Sequence, residues 1–127
     1  MSDKLDSFTV QYIETALWSS TDCSSDLAGD PMDKNYTIED MATETLTTMI
    51  DDCLKFQDAN QGDLDNAEWS DARHGHNFWL TRNGHGCGFW DGDYPEGIED
   101  RLTRASRNFG EFDLYIGDDQ LIYGHCG

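Results

Sequence analysis

Positive charge is what this sequence has least of: eight Lys and Arg stand against 26 Asp and Glu over 127 residues, a formal charge of −18 at pH 7. A protein that grips phosphates by releasing counterions needs a basic stripe, so the composition argues against direct binding of DNA, RNA or an anionic membrane. No apolar run approaches the roughly 20 residues of a membrane-spanning helix. The segment Met1-Ser2-Asp3-Lys4-Leu5-Asp6 has neither the positive nor the apolar stretch of a signal peptide, and the expected compartment is the cytoplasm. The cysteines, Cys23, Cys53, Cys87 and Cys126, lie tens of residues apart with no CxxC. They read as reduced, small buried hydrophobes. Nucleophile elbows, P-loops and dinucleotide fingerprints are absent, and Gly84-His85-Gly86-Cys87-Gly88 alternates glycine as a hairpin strand does rather than cradling phosphate.

What is present suffices for one folded domain. The chain is 37% hydrophobic and 12% aromatic, and Phe, Tyr and Trp each bring a large apolar surface to a core short of aliphatics. Residues 1–70 hold sixteen acids and three lysines, whereas 71–127 hold ten acids, all five arginines and all four histidines. The first half reads as helical. Phe8, Tyr12, Ile13, Ala16 and Leu17 recur at helical spacing over 8–18, with Asp6 or Ser7 as cap. Residues 19–31 are turn formers closed by Pro31 and read as a loop. Thr37 and Asp40 form a capping-box pattern ahead of Met41, Leu46, Met49, Ile50, Cys53 and Leu54, which predicts a long helix over 37–58.

The second half reads as hairpin, helix, hairpin. Asn83-Gly84 is a strong type I′ turn signal because both central positions need positive φ. In that register Phe78 faces Phe89 and Leu80 faces Cys87, with Trp79 and Trp90 on the other side. A helix follows over 96–108, with Ile98, Leu102 and Ala105 on one stripe, acids at its start and Gly110 as a stop. Alternation at Phe112, Leu114 and Ile116 and again over 121–123 predicts a second hairpin. The expected class is α+β, two N-terminal helices and then an antiparallel sheet of about four strands.

The acid excess is the largest functional signal. Solubility needs a net charge of roughly 2 to 8 in a small domain, and a larger charge costs stability through self-repulsion. The carboxylates Glu39, Asp40, Glu44, Asp51 and Asp52 are therefore expected to meet a basic cleft in a partner, as DNA presents its phosphates. The segment from Asp58 to Asp65 resembles a calcium loop, but Gly62 falls at position 5 and Trp69 at position 12, so the ligand pattern fails. His74, His76, His85, Cys87, His125 and Cys126 are zinc-binding types without close-paired spacing. No metal or cofactor is expected. An alternative site is a small-ligand or hydrolytic pocket on the hairpin, with His76, Arg82, His85 and Asp91 beside Trp79 and Trp90. A structural or virion-associated role is the third reading. Arg101, Arg104 and Arg107 recur every three residues and are expected to meet the acidic half or solvent.

The run Gly75-His76-Asn77-Phe78-Trp79-Leu80-Thr81-Arg82-Asn83-Gly84-His85-Gly86-Cys87-Gly88-Phe89-Trp90-Asp91 resembles a family of short acidic proteins of bacteriophages and prophages. Asp100-Arg101-Leu102-Thr103, Asp113-Leu114-Tyr115-Ile116-Gly117-Asp118-Asp119 and Ala16-Leu17-Trp18-Ser19-Ser20-Thr21 extend the resemblance to about half the chain. It implies a phage origin, action in the host cytoplasm and a host-takeover or anti-defence role, by analogy with small acidic phage proteins that occupy DNA-binding clefts. The expected partner is a basic, nucleic-acid-handling host protein, bound without enzymatic action.

Overall fold

The computed structural model describes residues 6–22, 30–34, 36–67, 70–84 and 97–126. Helix α1 spans Ser7–Ser19 as the apolar spacing predicts, and its cap is Asp6, whose carboxylate accepts from the Thr9 amide at 2.8 Å. Gln57 Nε2 donates to the other Asp6 oxygen at 3.1 Å and so ties the start of α1 to the middle of the second helix. Burial works against the Asp6 charge, but these hydrogen bonds outweigh it and hold the carboxyl below its usual range. The stretch expected to be a plain loop holds a short antiparallel ladder, β1 (Thr21–Asp22) with β2 (Asp30–Pro31).

The predicted capping box exists, but it caps something smaller than expected. Thr37 and Asp40 cap a single 3-10 turn, Ile38–Asp40, with the Thr37 amide donating to Asp40 Oδ2 at 2.8 Å. Helix α2 begins later, at Thr43, and runs to Asn66 instead of stopping near residue 58. Its first turn is fixed from outside the helix, by the Ala42 amide donating to the Ile122 carbonyl at 3.0 Å. Residues 59–66, beyond the expected end, are helical with a kink at Asn60 (φ −122°, ψ 16°), where Asn60 Nδ2 donates to the Phe56 carbonyl at 2.8 Å.

The largest correction concerns the first hairpin. Residues expected to form its leading strand lie in helix α3, Asp71–Arg82, capped by Ser70, whose hydroxyl accepts from the Arg73 amide at 3.2 Å. Gly84 has φ +71° and its amide donates to the Thr81 carbonyl, so Asn83-Gly84 ends a helix rather than turning a hairpin. The register that set Phe78 against Phe89 and Leu80 against Cys87 does not exist; the expected return strand and the start of the next helix lie outside the described residues. Helix α4 (Ile98–Asn108) and the hairpin of β3 (Phe112–Ile116) with β4 (Ile122–Cys126) agree with the sequence pattern. The class is mixed α+β, but the described strands form two separate two-stranded ladders in place of one four-stranded sheet.

The core lies among the helices. Helix α1 packs most extensively on α3, and a Cβ at Gly75 would collide with the Phe8 carbonyl oxygen, so glycine is what lets the two backbones approach. Phe56 and Phe78 stack with centroids 4.1 Å apart, Tyr12 stacks on Phe78 at 5.1 Å, and Phe109 meets Phe78 edge-on at 5.2 Å. The inward residues Phe112, Leu114 and Ile122 of the hairpin close one side of this cluster.

Candidate functional site

The five acids expected to face a partner separate into two groups. Glu39, Glu44 and Asp51 are exposed. Asp40 is engaged in its cap with Thr37, and Asp52 turns inward to Arg82, its Oδ2 accepting from Nη1 at 2.9 Å. What continues the exposed set is a pattern that the sequence reading passed over. Glu44, Asp51, Asp58 and Asp65 recur every seven residues and are all exposed. Seven residues are nearly two helical turns and about 10 Å of rise, so Glu44, Asp51 and Asp58 form a row along the outer face of α2, and Asp65 follows beyond the kink at Asn60. Leu54, 53% exposed, lies within it. Lys55 pairs with Asp51 at 2.9 Å. Asp63 lies off the row, where Arg101 grips it with two hydrogen bonds, at 2.7 and 2.9 Å. Of the three arginines expected to meet the acidic half or solvent, Arg101 makes this contact with the acidic half, and it holds the Asp63 carboxyl below its usual range.

The described residues of the alternative pocket are held by partners within the fold. Trp79 is buried, with its indole N–H donating to Ser19 Oγ at 2.7 Å and its ring edge-on to Tyr12. The Arg82 side chain is 1% exposed. Nη1 donates to the Tyr12 hydroxyl at 2.9 Å as well as to Asp52, Nε to the Gly110 carbonyl at 2.8 Å and Nη2 to the Phe109 carbonyl at 3.1 Å. Its Cζ lies 5.5 to 5.7 Å from the ring centroids of Phe112, Phe109 and Phe78, close enough for cation–π attraction. Burial works against the guanidinium charge, but Tyr12 and Asp52 overcome it and leave the pKa above its ordinary value. Burial likewise pushes the Tyr12 phenol upward and keeps it neutral. Arg82 therefore clamps α1, α2, α3 and the approach to β3. His85, Trp90 and Asp91 lie outside the described residues.

His76 is half-buried, and its Nδ1 lies 2.9 Å from Thr15 Oγ1. Thr15 Oγ1 also accepts from Gln11 Nε2 at 3.2 Å. Burial and the nearby Arg73 charge lower its pKa. His74 is buried, and burial lowers its pKa too. Among the described residues no three His, Cys, Asp or Glu side chains converge as a metal site. Cys53 is a buried free thiol whose pKa burial pushes well up, which leaves it without nucleophilic character.

Two further surfaces have no counterpart among the expected sites. Tyr115 and Tyr123 stack at 5.8 Å as a cross-strand pair, and Tyr123 donates to Asp119 Oδ2 at 2.6 Å, which pushes its phenol up to about 12. A groove of about 400 Å³ lies along α1 against the 3-10 turn. The four-residue spacing of Val10, Glu14 and Trp18 signals that groove in the sequence, but against a prediction of plain amphipathic helix it reads as scattered surface. Comparison of the chain with known protein families, with curated proteins and with solved structures gives no match.

Proposed function

We propose that the protein acts by binding, presenting the outer face of α2 as a carboxylate surface to the basic cleft of a nucleic-acid-handling protein. The observation that carries this reading is the exposed row Glu44, Asp51 and Asp58, with Lys55 as the cation paired within it and Asp65 exposed beyond the kink at Asn60. Exposed carboxylates at regular intervals keep their hydration until contact. They steer a cationic partner over distances of the order of the Debye length, about 8 to 10 Å at moderate salt. Glu39 extends the surface; Asp40 and Asp52 have structural roles and are not part of it. On this reading the partner is a replication, transcription or defence factor of a bacterial host, as the resemblance to phage proteins would imply, and the row competes with DNA to occupy it.

The test immobilises the chain and offers it the heparin-retained proteins of a bacterial lysate at low salt. Nucleic-acid-binding proteins should be captured, and moderate salt or added duplex DNA should release them. The fourfold variant Glu44→Gln, Asp51→Asn, Asp58→Asn, Asp65→Asn should lose capture while keeping its helical circular dichroism. Capture that survives in this variant, or that ignores DNA, would discard the reading.

A further inference from the structure

Val10 (37% exposed) and Trp18 (56% exposed) are among the few large apolar side chains that reach solvent in the described residues, and both border one groove. With Glu14 between them they stand at four-residue intervals on one face of α1 and form its wall. Ile13 and Leu17 are buried and form the floor, while Asp33, Tyr36 and Ile38 form the opposite side. From residue 10 to residue 18 the helix rises about 12 Å, which matches three to four residues of extended chain at about 3.3 Å each. A groove of that length suits a peptide segment better than a compact small molecule. Its walls carry the carboxylates of Glu14 and Asp33, and no Lys or Arg is among its described lining. The charge it complements is positive.

The aromatic wall is held in place before any ligand arrives. The Trp18 ring meets the His76 ring edge-on at 6.0 Å and 86°. His76 is fixed by Thr15, and Thr15 by Gln11. A braced indole loses little freedom on binding, which is what makes an aromatic side chain an effective anchor.

We propose that this groove docks a basic peptide segment of a partner protein, with a Lys or Arg between Glu14 and Asp33 against the Trp18 and Tyr36 rings and a neighbouring apolar side chain over Ile13 and Leu17. Cation–π attraction and the two rim carboxylates supply selectivity for the cation, and the floor supplies the apolar contact. A second copy of this chain is a poor occupant because two bodies of charge −18 repel. The surface is carried by α1 and the 3-10 turn, so the proposal stands independently of the α2 row.

The experiment is a two-dimensional amide NMR titration of the full chain with an acetylated and amidated hexapeptide that alternates leucine and arginine. Saturable shifts are expected at the Val10 and Glu14 amides and at the Trp18 indole N–H. Glu14→Gln with Asp33→Asn should weaken binding about three- to tenfold, as expected for two exposed charge contacts. Trp18→Ala should weaken it at least about tenfold, as loss of an aromatic anchor does. The fourfold α2 variant should bind unchanged. Equal binding by the peptide with glutamine in place of arginine overturns the proposal. So do shifts produced by raising the protein concentration alone, shifts that map to α2, or no saturable shift at millimolar peptide.

Discussion

Asp51 and Asp52 are neighbours on α2, and each forms an ion pair at the same distance, 2.9 Å. Asp51 meets Lys55 with both side chains more than half exposed, whereas Asp52 meets Arg82 with the guanidinium only 1% exposed. Water screens the first pair, so separating its members leaves two well-hydrated ions. The second pair is set among aromatic rings, and separating it would leave a guanidinium with no solvent to replace its partners. The pairs also differ in what surrounds them. Lys55 has Asp51, while Arg82 also binds Tyr12, Phe109 and Gly110. One turn of helix thus carries a solvated carboxylate on one side and a structural clamp on the other, and a count of acids by sequence position merges the two.

The largest effect should come from breaking the buried side. Arg82→Ala removes the clamp and leaves Asp52, the Tyr12 hydroxyl and two carbonyls short of a donor, at a cost of about 3 to 5 kcal/mol of stability, read by urea denaturation. Asp52→Asn sharpens the result, because an amide oxygen still accepts from Nη1 while the charge is lost, and should cost about 1 to 3 kcal/mol. If Arg82→Ala costs less than Asp52→Asn, the clamp is not the organising contact and the comparison fails.

The same merging explains which parts of the fold were legible. Helix α1, helix α4 and the β3–β4 hairpin follow from periodicity because each buries one stripe or alternates cleanly, as Phe112, Leu114 and Ile122 do. Helix α3 departs from the strand its sequence suggests for a physical reason. Phe78-Trp79-Leu80-Thr81 is rich in strand-favouring residues, and Asn83-Gly84 satisfies two different demands for positive φ, a type I′ turn and a helix terminus. The deciding information lay outside the segment, in the tight crossing of Gly75 on Phe8 and in the burial of Phe78, Trp79 and Arg82 together. A helix buried nearly all round carries no amphipathic stripe to detect. Likewise the capping box at Thr37 is present but does not open α2, since the start of α2 depends on Ile122, about eighty residues away along the chain. Of the candidate site, the exposed acids were legible as a class. Which of them point outward was not, because that depends on where Arg82 goes.

Acid adds a charge to the buried region instead of removing one, and gives an intermediate effect. His74 and His76 have folded-state values lowered from 6.5, mainly by burial. The unfolded chain therefore binds more protons than the folded chain between the lowered values and 6.5. Stability from these groups is fully present above about pH 6.5 and is lost as pH falls through the folded-state values. Denaturation midpoints measured from pH 7.5 to 5 should decline, and His76→Gln should flatten the decline because it removes one of the two described rings whose pKa burial lowers. A flat profile in the unaltered chain would mean that neither ring is held neutral by burial.

The smallest effect on stability should come from the exposed pair, and that near-absence is informative. Lys55→Gln deletes the cation from the α2 row and leaves Asp51 to water, which solvates it as well as an exposed ammonium does. The urea midpoint should not move measurably. Yet the same substitution makes the outer face more negative, so capture of basic proteins at low salt should strengthen and the gain should vanish as salt is raised. A variant silent in denaturation and visible in salt-dependent binding separates the two sides of α2 directly. Loss of stability together with unchanged capture would reverse the assignment, making the Asp51 side structural and leaving the carboxylate row without a partner-binding role.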